Sequence, residues 1–254
     1  MNSLVINEGI KRIYKEDLET QKHYIDTIMK EARNSDSSII YKAEGFFVPN
    51  DKYMVEYFGN EITNQQYDCY GYYGDCKWTG NLVLPLRDVK NNIVGFVGYN
   101  PFIAIENKEK GIWDNPYYKQ SDKKVLNKSL FLFGLKDYFK RAMKEGYIII
   151  TDGVFDLLSC EREGLVAGAL LGSYVSDALL FQLSFIPKVI VAMDNDDAGL
   201  KVLNYLKKYL PRTIALKQGK FKDIDDLLKS DLKDLAIKQI KENLNKTEDI
   251  RLRF

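Results

Sequence analysis

Apolar and polar positions follow two different patterns in the two halves of the chain. From residue 146 onward, short and continuously apolar runs rich in β-branched residues alternate with segments of helical periodicity. Continuous apolar runs are typical of strands buried on both faces of a parallel sheet. Strand–helix alternation with short connections is typical of right-handed βαβ units. The pattern predicts an α/β domain with strands in 146–151, 166–170, 186–193 and 213–217, and helices in 136–144, 154–162, 176–183, 199–210 and 230–244.

The N-terminal half has a mixed pattern. Residues 7–33 carry the spacing of one or two amphipathic helices, and residues 39–78 are irregular and rich in aromatic side chains. Residues 81–99 contain two β-rich runs around a polar turn, which predicts a hairpin. We therefore expect an α+β subdomain before the α/β domain, and we set the limits at 1–142 for the α+β subdomain, 143–229 for the α/β domain and 230–254 for a short helical tail.

Composition narrows the class of protein. The chain has 254 residues and a formal net charge of +1, so any contact with nucleic acid has to come from a local basic surface. Three cysteines at irregular spacing and the single His23 do not make a disulfide framework or a four-ligand zinc site. No apolar run is long enough to span a membrane and no signal peptide is present, so we expect a cytoplasmic protein that does not bind membranes.

Carboxylates follow two of the predicted strands. Asp152 and Asp156 come after the first strand, and Asp194 and Asp196 come after the third. In an open α/β sheet the carboxyl ends of the strands form the ligand crevice, so these four side chains are expected along one edge. Their mutual repulsion raises their pKa values unless a cation is present. Hard oxygen ligands suit Mg²⁺ or Mn²⁺.

Helix capping is the alternative interpretation of these acids. Asp152 would cap the helix that follows it, and Asp194 or Asn195 would cap the helix after the third strand, because Asp and Asn are favoured N-cap residues. For any one residue the two interpretations are equally open. The whole set, with Asp-x-Asp facing Asp-Gly-x-x-Asp, exceeds what capping requires and favours a metal site.

Four short motifs occur in an order known from one family. They are Asp152-Gly-Val-Phe-Asp156, Leu171-Gly-Ser173, Asp194-Asn-Asp196-Asp-Ala-Gly199 and Asp223-Ile-Asp225. Together they resemble the TOPRIM domain of bacterial DnaG-type primases, and the resemblance extends over about residues 39–228. It implies a TOPRIM domain preceded by an α+β primase-core subdomain. It also implies that Mg²⁺ or Mn²⁺ is held by five acids: Asp152, Asp194, Asp196, Asp223 and Asp225.

One of these acids departs from the family. The family's first acid is a glutamate, proposed as its general acid or base, and here Asp152 is one methylene shorter. The resemblance implies that Asp152 holds a metal ion or relays a proton, with Asp156 supporting it.

Basic positions upstream also differ from the family. The hairpin resembles the primase polymerase-core signature, which has arginines where this chain has Asn81 and Tyr99. Fewer cations weaken binding to phosphates, and Arg87 or Lys90 is expected to compensate. In a further block that resembles the family, Lys128 falls on the second of two lysines and Tyr117 replaces the first. Lys128 would reach a triphosphate as a mobile point charge, and the alternative is a solvated lysine.

The resemblance implies a reduced DnaG-like RNA polymerase core. Such a core makes short RNA primers on single-stranded DNA from ribonucleoside triphosphates, by metal-dependent nucleotidyl transfer. We expect the family's zinc-binding and helicase-binding modules to be missing, so a replicative helicase or a separate zinc-binding protein would be a partner, as in a phage-type replication protein. Two alternatives stay open: a metal-dependent TOPRIM nuclease, and a catalytically degenerate accessory protein that binds single strands.

Overall fold

The computed structural model describes residues 46–47, 70–72, 82–91, 93–99, 107, 109–112, 117–119, 130–194, 196–246 and 248–252. The chain divides into two compact units, one with residues 1–87 and 92–126 and the other with residues 88–91 and 127–254. The predicted helical segment 7–33 and Lys128 lie outside the described residues, as does Asn81.

The first unit contains an antiparallel sheet with strand order β1-β2-β3-β4-β5. The predicted hairpin is its centre, with β3 and β4 paired from Leu82 opposite Tyr99 to Arg87 opposite Ile93. Leu84, Leu86 and Val97 are buried on this pair. The strands are β1 (Phe46–Phe47), β2 (Tyr70–Tyr72), β3 (Leu82–Arg87), β4 (Ile93–Tyr99) and β5 (Tyr117–Lys119).

The second unit is a parallel sheet with helices, as the alternating pattern predicts. Its strand order is β10-β9-β8-β6-β7, and every neighbouring pair is parallel. The strands are β6 (Ile148–Thr151), β7 (Ala167–Ala169), β8 (Val189–Val191), β9 (Thr213–Lys217) and β10 (Ile250–Arg251). The helices are α1 (Tyr138–Glu145), α2 (Val154–Arg162), α3 (Asp177–Ser184), α4 (Asp197–Tyr209), α5 (Ile224–Leu228) and α6 (Lys233–Asn243).

Burial explains why these strands read as continuous apolar runs. Ile148, Ile149 and Ile150 of β6 are each fully buried, because strands pair with β6 on both sides and helices cover the sheet. A partly buried ion pair adds to the packing, since Arg141 of α1 lies 2.6 Å from the buried Glu161 of α2. No helix among the described residues is long and apolar enough to cross a membrane.

The predicted domain limits differ from the structure at two places. Helix α1 runs across the limit set between residues 142 and 143, and the chain divides before residue 127 instead. Residues 230–254 are also not a separate tail, because β10 pairs with β9 and completes the sheet. A strand of two residues has no detectable periodicity, which is why the pattern did not predict β10.

Candidate metal centre

Asp152 and Asp194 meet at the carboxyl edge of the parallel sheet. Asp152 directly follows β6 and Asp194 follows β8, the strand beside it. The backbone N–H of Asp194 donates a hydrogen bond of 2.7 Å to Oδ2 of Asp152. The capping interpretation of Asp152 is therefore wrong, because α2 has Gly153 at its N-cap and no side-chain cap bond. The sheet brings together two acids that are far apart in sequence.

Burial, with a contribution from neighbouring acids, raises the pKa of both carboxyl groups. Burial is the main cause for Asp152; the hydrogen bond from Asp194 opposes it, and the charges of Asp194, Asp196 and Asp223 add to it. Burial also raises the pKa of Asp194, which the ammonium group of Lys222 lowers and the neighbouring acids raise. Each acid is thus destabilised in its charged form by the others. A bound cation would relieve this repulsion.

Asp156 lies in the first turn of α2, next to the same set of acids. Its Oδ1 accepts a hydrogen bond of 3.3 Å from the backbone N–H of Asp225. Burial, with a further contribution from Asp223, raises the pKa of Asp156 to about 7. A Cβ at Gly153 would lie 3.2 Å from Oδ2 of Asp156, so the glycine leaves room for this carboxyl group.

Asp196 and Asp223 are helix caps as well as members of the acidic set. Oδ1 of Asp196 accepts from the N–H of Gly199 at 2.8 Å, and Oδ1 of Asp223 accepts from that of Asp226 at 2.7 Å. Each cap uses one carboxylate oxygen. Oδ2 of Asp223 lies 3.5 Å from Nζ of Lys222. Helix α4 is therefore capped by Asp196 and not by Asp194, one of the two predicted caps, and the other, Asn195, lies outside the described residues.

Asp225 is occupied by other protein groups. Its Oδ2 lies 2.6 Å from Nζ of Lys229, and its Oδ1 accepts a hydrogen bond from the hydroxyl of Ser159. Both oxygens are committed, which disfavours the predicted role of Asp225 as a metal ligand. Ser159 was not singled out from the sequence. Its signal in the sequence is a small polar residue within the apolar run Leu157-Leu-Ser-Cys160.

Gly199 is a second residue of the site that sequence reasoning named only as part of a motif. A Cβ at this position would lie 2.3 Å from the carbonyl oxygen of Asp194. No side chain fits at that distance, so the first turn of α4 packs directly against the backbone that carries Asp194. Gly199 therefore fixes the position of this acid.

Of the three predicted phosphate-binding cations, the structure describes Arg87 and Lys90. Arg87 is 2% exposed and interacts with other protein groups, so its guanidinium offers little surface to a strand. Lys90 is exposed in the hairpin turn, where its backbone N–H donates to Oδ1 of Asp88 at 2.9 Å. The predicted roles of Arg87, Lys90 and Lys128 stay predictions.

The donor set fits Mg²⁺ or Mn²⁺ in its chemistry. Within the described part of the chain, no three acidic, cysteine or histidine side chains form a ready-made metal cage. Mg²⁺ commonly binds through one or two carboxylates, keeps several waters and takes further ligands from substrate phosphates. Asp152 and Asp194, with Oδ2 of Asp196 and with Oδ2 of Asp223, which Lys222 also contacts, match that mode of binding better than an all-protein cage does.

The parallel sheet and the acids at its edge have counterparts in known proteins. Residues 149–228 match the family model described as Toprim-like, which confirms the resemblance of the sequence motifs to a TOPRIM domain. The chain is also similar to the DNA primase of Thermotoga maritima, with 33% identity over 162 residues, or 61% of this chain and 27% of that protein. The DNA primase of Aquifex aeolicus is 32% identical over 124 residues, or 48% of this chain and 23% of that protein.

Solved structures show the same fold. The DnaG primase catalytic domain bound to ssDNA has a TM-score of 0.54 at 16% identity, covering 94% of this chain and 78% of that chain. The zinc-binding and RNA polymerase domains of the Aquifex aeolicus primase give 0.51 at 22% identity, covering 96% of this chain and 65% of that chain. The chain thus has the fold of a DnaG-type primase catalytic core. It spans about a quarter of the length of the curated relatives it matches.

Proposed function

We propose that this chain makes short RNA primers on single-stranded DNA by metal-dependent nucleotidyl transfer. The observation that carries the proposal is the meeting of Asp152 and Asp194 at one sheet edge. Neither acid forms an ion pair with a described lysine or arginine within 4 Å, although both are crowded by other carboxylates. Acids without an ion-pair partner at a ligand-binding edge are suited to holding an exchangeable metal ion.

In this proposal four acids hold Mg²⁺ or Mn²⁺: Asp152, Asp194, Asp196 and Asp223. Such ions, when bound, activate a ribonucleotide 3′-hydroxyl and neutralise the triphosphate during in-line displacement. Asp152 also orients the backbone of Asp194 through the hydrogen bond between them. Asp156 supports the set from α2, and a cation bound nearby would favour its charged form over the protonated form that burial favours. Asp225 holds α2 and α5 together instead of binding metal.

Lys90 and Lys128 are the cations that we propose for contact with template or triphosphate, and the burial of Arg87 makes it the weakest of the three predicted candidates. Single-stranded DNA and ribonucleoside triphosphates are the proposed substrates, in the cytoplasm of a bacterial cell, phage-infected or not. The fold shared with a primase core bound to ssDNA supports the choice of template. A replicative helicase or a separate zinc-binding protein is the proposed partner for choosing the template.

A primer assay tests this proposal. The full chain is incubated with a single-stranded template, labelled ribonucleotides and Mg²⁺ or Mn²⁺, beside Asp152→Ala and the control Asp231→Ala, an exposed acid in the turn before α6. We expect primer-length products from the wild type and the control and none from Asp152→Ala. A shortened template would indicate a nuclease instead. Binding of the template without either product would indicate the accessory protein.

A further inference from the structure

The outer face of α4 combines cations, aromatic rings and an amide. Residues three, four, seven and eight positions apart share one face of a helix. Counting from Lys201, this spacing aligns Lys201 with four further residues: Asn204, Tyr205, Lys208 and Tyr209. All of them are exposed except Tyr205, which is half-buried. We call these five residues, together with the exposed Arg212 in the turn that follows, the α4 face.

The two tyrosines form an ordered aromatic surface. The rings of Tyr205 and Tyr209 lie 4.9 Å apart at 53°, and Nζ of Lys208 lies 4.9 Å from the centre of the Tyr209 ring. The hydroxyl of Tyr205 donates to Oδ1 of Asp177 at 3.3 Å, which anchors this ring on α3. Tyr209 is 47% exposed and Tyr174, which lies near Tyr205, is 69% exposed. Exposed rings of this kind can stack on unpaired bases.

The cations of the α4 face have no acidic partner among the described residues. Within the described residues, Lys201, Lys208 and Arg212 form no ion pair with an acid, whereas Lys207 on another side of the helix lies 2.7 Å from Asp249. Asp197 is the one acid of α4, and it lies in the first turn. Cations therefore outnumber acids on the face, with Asp177 of α3 at the hydroxyl of Tyr205 as a neighbouring negative charge. A polyanion with unpaired bases complements both the cations and the rings.

We propose that the α4 face binds single-stranded nucleic acid, with Lys201, Lys208 and Arg212 at its phosphates and Tyr209 stacked on a base. Helix α4 begins one residue after Asp196, and Lys201, the first residue of the face, follows in the second turn of the same helix. At about 1.5 Å per residue the helix then continues for roughly 20 Å, long enough to follow several nucleotides. The identity of the strand, template or primer, rests on the proposed function.

Binding of labelled oligonucleotides tests the surface directly. Anisotropy of fluorescein-labelled oligo-dT and oligo-U is measured with the full chain in EDTA over a series of salt concentrations. Lys201→Ala/Lys208→Ala/Arg212→Ala is compared with wild type and with Lys136→Ala/Lys140→Ala/Lys144→Ala, a matched set of exposed lysines at α1. Each phosphate neutralised on a single strand contributes about −0.7 to the slope of log K against log salt. We expect the α4 triple variant to flatten this slope by about 2 and the α1 triple variant to leave it unchanged.

Stacking is tested separately from charge. Tyr209→Leu is expected to weaken binding about fivefold or more, and Tyr209→Phe to bind like the wild type, because only the ring is required. These single changes decide the proposal if the triple variant does not fold. Stronger binding of oligo-dT would identify the strand as template and of oligo-U as primer, and either supports the surface.

The inference is overturned if the α4 triple variant and Tyr209→Leu both bind as the wild type does, or if the wild type binds neither oligonucleotide. Its failure is distinguishable from failure of the proposed function, because binding is measured without metal and primers are measured with it. If the wild type binds strands through the α4 face but makes no primers, only the proposed function is contradicted. If it makes primers and the α4 variants bind as the wild type does, only the role of the α4 face is contradicted.

Discussion

The acids that follow strands and the acids that begin helices have the same chemistry but different surroundings. Asp152 and Asp194 follow β6 and β8, and burial and neighbouring charges raise their pKa values. Asp196 and Asp223 accept hydrogen bonds from helix N-termini, and Asp225 is held by Lys229 and Ser159. The first group is electrostatically unfavourable as it stands, and the second is satisfied by the protein.

The surroundings of each acid indicate whether it binds a cation or stabilises the fold. A carboxylate that the protein leaves uncompensated stabilises a bound cation, whereas a carboxylate with protein partners stabilises the fold. Replacing Asp194 should therefore abolish activity without loss of stability. Replacing the second kind should cost stability first.

Asp194→Ala gives the largest expected effect. Changes in the groups that merely orient a metal ligand cost about 10- to 100-fold, so loss of a ligand should lower the rate of primer synthesis by at least about 100-fold. The free energy of unfolding should stay the same or rise, because the repulsion among the acids falls. Primer yield and urea denaturation measure the two effects. A large loss of stability would place Asp194 with the structural acids.

Asp225→Ala should lower the stability of the protein, in contrast to Asp194→Ala. It leaves the hydroxyl of Ser159, a residue 2% exposed, without its acceptor, which is expected to cost about 1–3 kcal/mol of unfolding free energy. Ser159→Ala in the same background should add little, because both changes remove the same hydrogen bond. Urea denaturation of the two single variants and the double variant measures this coupling. Additive losses would show that the two residues act independently.

Asp196 is both a helix cap and a proposed metal ligand, and two substitutions separate these roles. Asp196→Ala should lose about 1 kcal/mol because the cap to Gly199 is lost, whereas Asp196→Asn keeps an equally good cap. Both variants should require more Mg²⁺ for half-maximal primer synthesis, because each lacks the negative charge. Thermal melting and Mg²⁺ titrations of activity separate the two roles. Equal Mg²⁺ requirement in Asp196→Asn and wild type would remove Asp196 from the metal set.

Asp249 is a structural acid away from the metal centre, and its substitution is expected to have the smallest effect. Burial raises its pKa, but the hydrogen bond from the N–H of Ala215 and the ammonium group of Lys207 outweigh burial and hold the pKa below 3.8. An acid whose pKa is lowered by folding stabilises the fold above its unfolded pKa and loses that contribution as the pH falls through its folded pKa. Asp249→Asn should therefore be less stable than wild type at pH 7.

Measuring the stability of wild type and Asp249→Asn at several pH values tests whether Asp249 stabilises the fold through its charge. The stability difference between wild type and Asp249→Asn should shrink as the pH falls below 3.8, the ordinary value for this group. Asp234→Asn, an exposed acid in the first turn of α6, is the matched control and should show a smaller difference throughout. A difference that does not change with pH would mean that Asp249 contributes through packing and not through its charge.

The order of strands and helices in the second unit was readable from the sequence, because periodicity and apolar content are local properties. Helix α2 (Val154–Arg162) and strand β9 (Thr213–Lys217) have the predicted ends. The TOPRIM motifs likewise identified the acids, since each motif occupies a few consecutive residues. The sequence alone thus determined the fold class and the residues from which a site could be built.

Only the tertiary structure decided which acids meet and which are already occupied. Asp152 and Asp194 come together because β6 and β8 are neighbours in the sheet, although Ala167–Ala169 intervenes in the chain. The partners of Asp225 come from α2 and from the next turn of its own helix, and no local pattern specifies that combination. Pairing between distant segments depends on packing of the whole domain, which is why local patterns determined the elements and the fold determined the site.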